Sequence, residues 1–198
     1  MRSRLLASCL ALLACLVPRV GAEVPGPTAT VRELLATIRQ VKENPATEEE
    51  RRAQRRAVES LHRLLAFSEV ARFALARQWD TLGAAQRNEF LALLRELFEK
   101  IAYPKSASFF EDLEIEFDGE RIEDSTAEVS TTVHHPEEGL LSIDYRLKRE
   151  GDAWVVYDIV LDGVSLLVDL RSQIQKVLRE ESYERLLERM REKLAEAK

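Results

Sequence analysis

The sequence predicts an α+β fold: a curved antiparallel sheet of about four strands with helices packed on one face. Three observations predict it. Apolar residues recur with helical spacing as far as Tyr103, take strand-like spacing between Leu113 and Leu161, and return to helical spacing after Gly163. The strand-like segments are joined by turns too short for a crossover helix, so neighbours must be antiparallel. The order helices, sheet, helices gathers the helices into a layer instead of interleaving them with strands.

The N-terminus stands apart from that fold. Arg2 and Arg4 form a positive region, residues 5–17 (LLASCLALLACLV) an apolar core too short to span a bilayer, and Val20-Gly21-Ala22 a small-residue cleavage site. Residues 1–22 therefore read as a secretory signal peptide. The competing reading is a lipoprotein signal with Leu12-Leu13-Ala14-Cys15 as its lipidation box. Both cysteines, Cys9 and Cys15, lie in this segment, so the mature chain has neither disulfides nor thiol chemistry and must rely on a packed core. Cleavage after Ala22 also removes Arg2, Arg4 and Arg19. The 29 basic residues fall to 26 against 35 acidic ones, a net charge of −9. Such an acidic chain is unsuited to nucleic acid and is repelled by anionic membrane surfaces.

Residues 23–29 read as a flexible leader and 30–198 as a single domain. Thr30 is placed to cap a helix with Val31, Leu34, Leu35, Ile38 and Val41 on one stripe, ended by Pro45. Thr47-x-x-Glu50 is a capping box. It opens a charge-dense helix with a thin apolar side (Ala53, Ala57, Leu61, Leu64), read as a solvated surface helix that also carries His62. Ser68 can cap a third helix with Val70, Phe73, Ala74 and Trp79. Gly83 turns the chain into an amphipathic helix through Phe90, Leu93, Leu94, Leu97, Phe98 and Ile101, which Tyr103-Pro104 should stop.

The strands follow. Residues 113–117 (LEIEF) alternate. In 126–135, Ala127, Val129, Thr131 and Val133 share a face, and in 140–150 Leu141, Ile143, Tyr145 and Leu147 do. Gly151-Asp152 is a hairpin turn, and AWVVYDIVL (153–161) is apolar on both faces, so it should be covered on both. After Asp162-Gly163, helical spacing resumes with Val164, Leu167, Leu170, Ile174 and Val177, and Ser182 caps a last helix.

Catalytic signals are few. His134 and His135 are adjacent on a strand and point to opposite faces, a poor geometry for one metal ion. No nucleophile elbow, phosphate loop or dinucleotide fingerprint occurs. Asp158 is the exception, a carboxylate within an apolar strand that must be paired, hydrogen-bonded or protonated. It is either a general base, as in small cone-shaped isomerases, or a structural pin bonded to backbone N–H groups or to an arginine such as Arg72 or Arg171.

Two stretches carry a family resemblance: F-x-x-V-A-R-x-x-L-x-x-x-W at 67–79 with QRNEFLALLRELF-x-x-x-AY ending at Tyr103, and W-x-V-Y-D-I-V-L-D-G-V-S-L-L-V-D-L-R-S-Q-I at 154–174. Together they resemble the MlaC family, periplasmic phospholipid carriers of the Mla lipid-asymmetry system, also described as toluene-tolerance or ABC-transporter auxiliary proteins. The resemblance covers residues 30–198. It implies that Trp154, Tyr157, Asp158, Gly163, Val164, Ser165, Arg171 and Gln173 are family-typical positions. It also implies an NTF2-like cone-shaped fold whose sheet and helices enclose a hydrophobic lipid cavity. Departures occur at Ala76, where the family often has glycine, and at Pro104, where a helix normally continues.

The resemblance further implies a monomeric carrier with no catalytic residues, metal or cofactor, and with phospholipid as cargo. Its partners would be an inner-membrane MCE-domain ABC transporter and an outer-membrane lipoprotein–porin complex, met in the periplasm. Candidate lipid contacts are Val70, Phe73, Leu94, Phe98 and Tyr103 from the helices before the sheet. From the strands come Ile115, Val129, Val133, Ile143, Tyr145 and Val156, and from the segment after Gly163, Val164 and Leu167. The alternatives are a small α+β enzyme using Asp158 as acid/base and a secreted adaptor that binds proteins through its charged helices.

Overall fold

The structure, a computed structural model, describes residues 25–197. The signal-peptide segment, its cleavage site and the competing Cys15 site lie outside the described residues.

Helix α1 (Pro27–Ile38) begins earlier than predicted. Gly26 takes the extended N-cap conformation and Pro27 sits in the first turn, where its missing N–H costs nothing. Residues 27–29 of the expected leader are therefore helical, and Thr30 is no cap. It is buried inside the helix with its hydroxyl donating to the Gly26 carbonyl at 3.1 Å. The apolar stripe through Ile38 is buried as expected, and so is Val41, but the helix ends at Ile38, well ahead of Pro45.

In α2 (Glu48–Leu64) the capping box is formed. Thr47 Oγ1 accepts from the Glu50 N–H, and the Glu50 carboxylate accepts from the N–H groups of Thr47 and Ala46 and from Lys42 Nζ. That set of donors, led by Lys42, holds the Glu50 carboxyl at about 2. The helix is more than a solvated surface element: Ala57, Val58, Leu61 and Leu64 are buried, although Ala53 is exposed.

The predicted third helix is two. Helix α3 (Phe67–Leu75) starts after Ala66, with Ser68 inside its first turn, and α4 (Arg77–Thr81) follows a break at Ala76. Ala76 has φ 49° and ψ −127°, a conformation suited to the glycine expected there. The carbonyls of Ala74 and Leu75 at the end of α3 both accept from Gln175 Nε2.

Helix α5 (Ala84–Leu97) does not stop at Tyr103-Pro104. The chain passes through a π-helical turn (Phe98–Ala102) into α6 (Tyr103–Phe110). Pro104 has no N–H to give Lys100, and its ring would crowd that carbonyl in a regular helix. The wider turn, with Tyr103 N–H bonding the Phe98 carbonyl, takes up the mismatch.

The sheet is β1 (Glu114–Glu123), β2 (Thr126–His135), β3 (Gly139–Glu150), β4 (Ala153–Leu161) and β5 (Val164–Ser165), in that spatial order and antiparallel throughout. It thus has one short strand more than the four expected, and β1 runs past LEIEF through a bulge near Asp118. The alternation in β2 and β3 holds: Ala127, Val129, Thr131, Val133, Leu141, Ile143, Tyr145 and Leu147 are all buried. Thr131, the polar member, donates to the Ile143 carbonyl at 3.0 Å. The chain closes with α7 (Leu166–Glu180) and α8 (Tyr183–Glu196), the latter capped by Ser182. Helices α1, α2, α3 and α7 all contact β4.

Two outcomes follow from this local geometry. Ala76→Gly should stabilise the protein by about 1 kcal/mol, since relief of a strained backbone exceeds glycine's entropic cost; a higher urea midpoint at unchanged m value checks it. The Glu50 carboxyl is lower in the folded chain than its ordinary 4.5, so its contribution is present above that pH and disappears as pH falls toward about 2. The stability gap between wild type and Glu50→Gln, followed by acid titration of thermal unfolding, should close over that window.

Candidate functional site

The site is organised by one carboxylate. Asp158 is 5 % exposed, and both of its oxygens are occupied. Oδ1 accepts from the Leu167 N–H at 3.0 Å, and Oδ2 accepts from Ser165 Oγ at 2.8 Å and from Arg146 Nη1 at 3.2 Å. The expected arginine partner, Arg72 or Arg171, is thus corrected to Arg146. Arg171 instead lies over the Phe73 ring at 4.7 Å, bracing α7 against α3. Ser165 is shared: while donating to Asp158, it accepts from the Val168 N–H at 3.0 Å as the N-cap of α7.

A bulge turns Asp158 toward these partners. Leu147 pairs with Val156 but Arg146 pairs with Asp158, so Tyr157 is an extra residue in β4. Regular alternation would put Asp158 on the same face as Val156, against the core. The bulge instead places it on the row of Arg146 and Glu128, which continues to Arg121 as an alternating charge ladder. The Asp162-Gly163 turn that follows has positive φ at both residues, the geometry of a tight hairpin, and Asp162 Oδ1 accepts from the Ser142 N–H at 2.9 Å.

Between β4 and α7 lies a cleft of about 190 Å³. Val156 and Ile159 form its sheet wall, with Tyr157 and Asp158 beside them, and Leu166, Leu167 and Leu170 form its α7 wall. Leu65, Phe67 and Val70 close it from the α2–α3 side and Phe98 from the π turn. Its lining is almost wholly apolar. A larger cleft of about 510 Å³ lies beside α8, but charged side chains including Lys100, Lys105 and Lys193 line it, which makes it the wrong solvent for apolar cargo.

Of the residues named from sequence, Val70, Phe98, Val156 and Leu167 meet at the cleft. Leu94, Tyr103, Val129, Val133, Ile143 and Tyr145 are buried in the core, and Ile115 is half-buried on β1. Phe73 is engaged by Arg171 outside the cleft. Val164 is displaced furthest: it belongs to β5, not to a helical stripe, and is 61 % exposed. Trp154 is buried beneath Arg149. Leu65, Phe67, Ile159, Leu166 and Leu170 were missed; Leu170 alone lay on a predicted apolar stripe. His134 and His135 diverge as expected, the first beside Glu116 and the second stacked on Phe109. Among the described residues no cluster of His, Cys, Asp and Glu is arranged to hold a metal ion, and no helix is long and apolar enough to cross a membrane.

The profile of the MlaC protein family matches residues 28–192. The chain belongs to the MlaC family. Among solved structures, the fold is shared with a phospholipid-binding protein from Ralstonia solanacearum, solved in complex with a phospholipid, at a TM-score of 0.68 and 19 % identity over 86 % of this chain and 95 % of that one. No curated protein matches at a significant level. In this MlaC protein Tyr157, Asp158, Gly163 and Ser165 all belong to the bulge, pin and turn that join β4 to α7.

Asp158→Ala should destabilise the protein by about 3 kcal/mol, because it strands the Leu167 N–H and leaves the Ser165 hydroxyl without its acceptor. Arg146→Ala should cost less, about 1–2 kcal/mol, since the buried Asp158 loses one donor but keeps those of Ser165 and Leu167. Chemical denaturation of both variants measures the contrast.

Proposed function

We propose that this MlaC-family protein is a non-catalytic phospholipid carrier, the soluble component of an Mla-type ABC transport system. It would work in the periplasm, between an inner-membrane MCE-domain transporter and an outer-membrane lipoprotein–porin complex. The observation that carries this reading is the apolar cleft between β4 and α7 in a chain of this family. A fold relative that binds phospholipid supports it.

The physical demand is large. Placing two sixteen-carbon chains in water costs roughly 25 kcal/mol at about 0.8 kcal/mol per methylene. A diffusing carrier must return most of that through apolar contact. The cleft is lined for the task, and a charged headgroup left at its mouth in water needs no dedicated chemistry. At about 190 Å³ the cleft is smaller than the roughly 300–1,000 Å³ of pockets that enclose drug-sized ligands, so full cargo requires the walls to part. The exposed Val164, Leu166 and Val168 extend apolar surface outward from the α7 wall.

A catalytic role for Asp158 is disfavoured by its bonding. A general base needs a free lone pair within reach of substrate, and three protein donors already occupy this carboxylate.

Native mass spectrometry of the mature protein should show bound phospholipid after gentle purification. Val70→Trp, which fills the cleft from a half-buried position, should lose that lipid at unchanged Tm. Lipid-free wild type, or equal loading of both proteins, would sink the proposal.

A further inference from the structure

Behind the cleft lies a polar pair with no assigned work. His62 Nε2 and Tyr103 Oη are both buried without a hydrogen-bond partner among the described residues. Sequence placed His62 on the surface. It is instead half-buried, and Tyr103 is only 2 % exposed. Each stranded polar atom costs about 1–3 kcal/mol, so a pair in one place calls for an explanation.

Four rings form a closed circuit around it. His62 meets Phe67 edge-on at 5.2 Å, Phe67 meets Phe98 at 5.1 Å, Phe98 meets Tyr103 at 5.9 Å, and Tyr103 returns to His62 at 6.0 Å. Phe67 and Phe98 are at once half of this circuit and two walls of the lipid cleft. Each ring of the polar pair thus contacts a cleft-wall phenylalanine directly, His62 on Phe67 and Tyr103 on Phe98. Phe98 is only half-buried and opens the π-helical turn, the one irregular stretch of its helix. Among the cleft walls it is the side chain carried on a π-helical turn.

The chemistry of the pair is neutral. Burial, and then the Arg95 charge, hold the His62 imidazole below its ordinary value, and burial pushes the Tyr103 phenol far above its own. An uncharged imidazole nitrogen and a phenol, both without a protein partner among the described residues, suit a group that can donate and accept at once.

Building on the carrier reading, we infer that the lipid cleft continues past Phe98 into an inner subsite where His62 and Tyr103 hydrogen-bond a hydroxyl carried on the acyl chain of the cargo. Displacement of Phe98 supplies the depth that the resting cleft lacks. A mid-chain hydroxyl enters without loss because its desolvation is matched by two partners that were themselves unmatched. A plain acyl chain fits the same path but leaves both polar atoms stranded. The subsite thus selects among lipids by chain chemistry, independently of headgroup.

The test is competitive loading. Delipidated mature protein is given an equimolar mixture of distearoyl phosphatidylethanolamine and its mid-chain hydroxystearoyl counterpart, and the bound masses are compared by native mass spectrometry. Wild type should favour the hydroxylated lipid about fivefold, the order of one added hydrogen bond. Tyr103→Phe should load both equally while still binding the plain lipid, which separates loss of the subsite from loss of the fold. Equal loading by wild type, or a preference that survives in Tyr103→Phe, would overturn the subsite while leaving lipid carriage intact. A crystal structure of the loaded protein with an ordered water, and no lipid oxygen, bridging His62 and Tyr103 would also overturn it. Failure to load either lipid would overturn carriage and the subsite together.

Discussion

The fold hangs on a buried carboxylate bonded through both of its oxygens. Asp158 ties β3 through Arg146, β5 through Ser165 and α7 through the Leu167 N–H, so one side chain joins three elements. Removing a charge from water costs several kcal/mol and is tolerable only when geometry and partners are good. Here the partners are drawn from the very elements that must meet, so the cost of burial becomes a condition on their arrangement. If α7 starts a residue late or β4 keeps its pleat, the carboxylate is stranded. That constraint fixes where the sheet ends and where the helical wall of the cleft begins.

Around that joint the two sides of the cleft are built differently. Arg171 on the Phe73 ring and Gln175 on the carbonyls of Ala74 and Leu75 lock α7 to α3. The opposite boundary is Phe98 on a π turn, produced because Pro104 cannot sit in a regular helix. A proline that looks like a stop signal therefore sets a wider turn beside the cleft instead. The joint between sheet and α7 is thus held by side-chain bonds, while the Phe98 side of the cleft is built on a π-helical turn.

Much of this was legible in one sequence. The change of hydrophobic period located the strands, and binary alternation identified the inward faces of β2 and β3 because a half-buried antiparallel strand has little choice. The Thr47–Glu50 box and the Ser182 cap were readable because capping is local, decided within four residues. The Trp154–Ile174 stretch carried enough specific residues to place the chain in its family. Where local signals competed with packing they misled: Thr30 and Ser68 are plausible caps that lie inside helices, and Val164 has an apolar side chain on an exposed short strand.

What the sequence determined by itself was the class of fold, the identity of Asp158 as a residue needing a partner, and an apolar inventory suited to lipid. Only the tertiary structure decided which of those residues meet. The bulge at Tyr157 reverses the facing of Asp158, and alternation read along the chain carries no mark of it, because a bulge is settled by pairing with β3. Arg146 rather than Arg171 became the partner for the same reason. The stranded pair His62 and Tyr103 comes from two helices whose approach is set by packing, and burial is a property of neighbours in space.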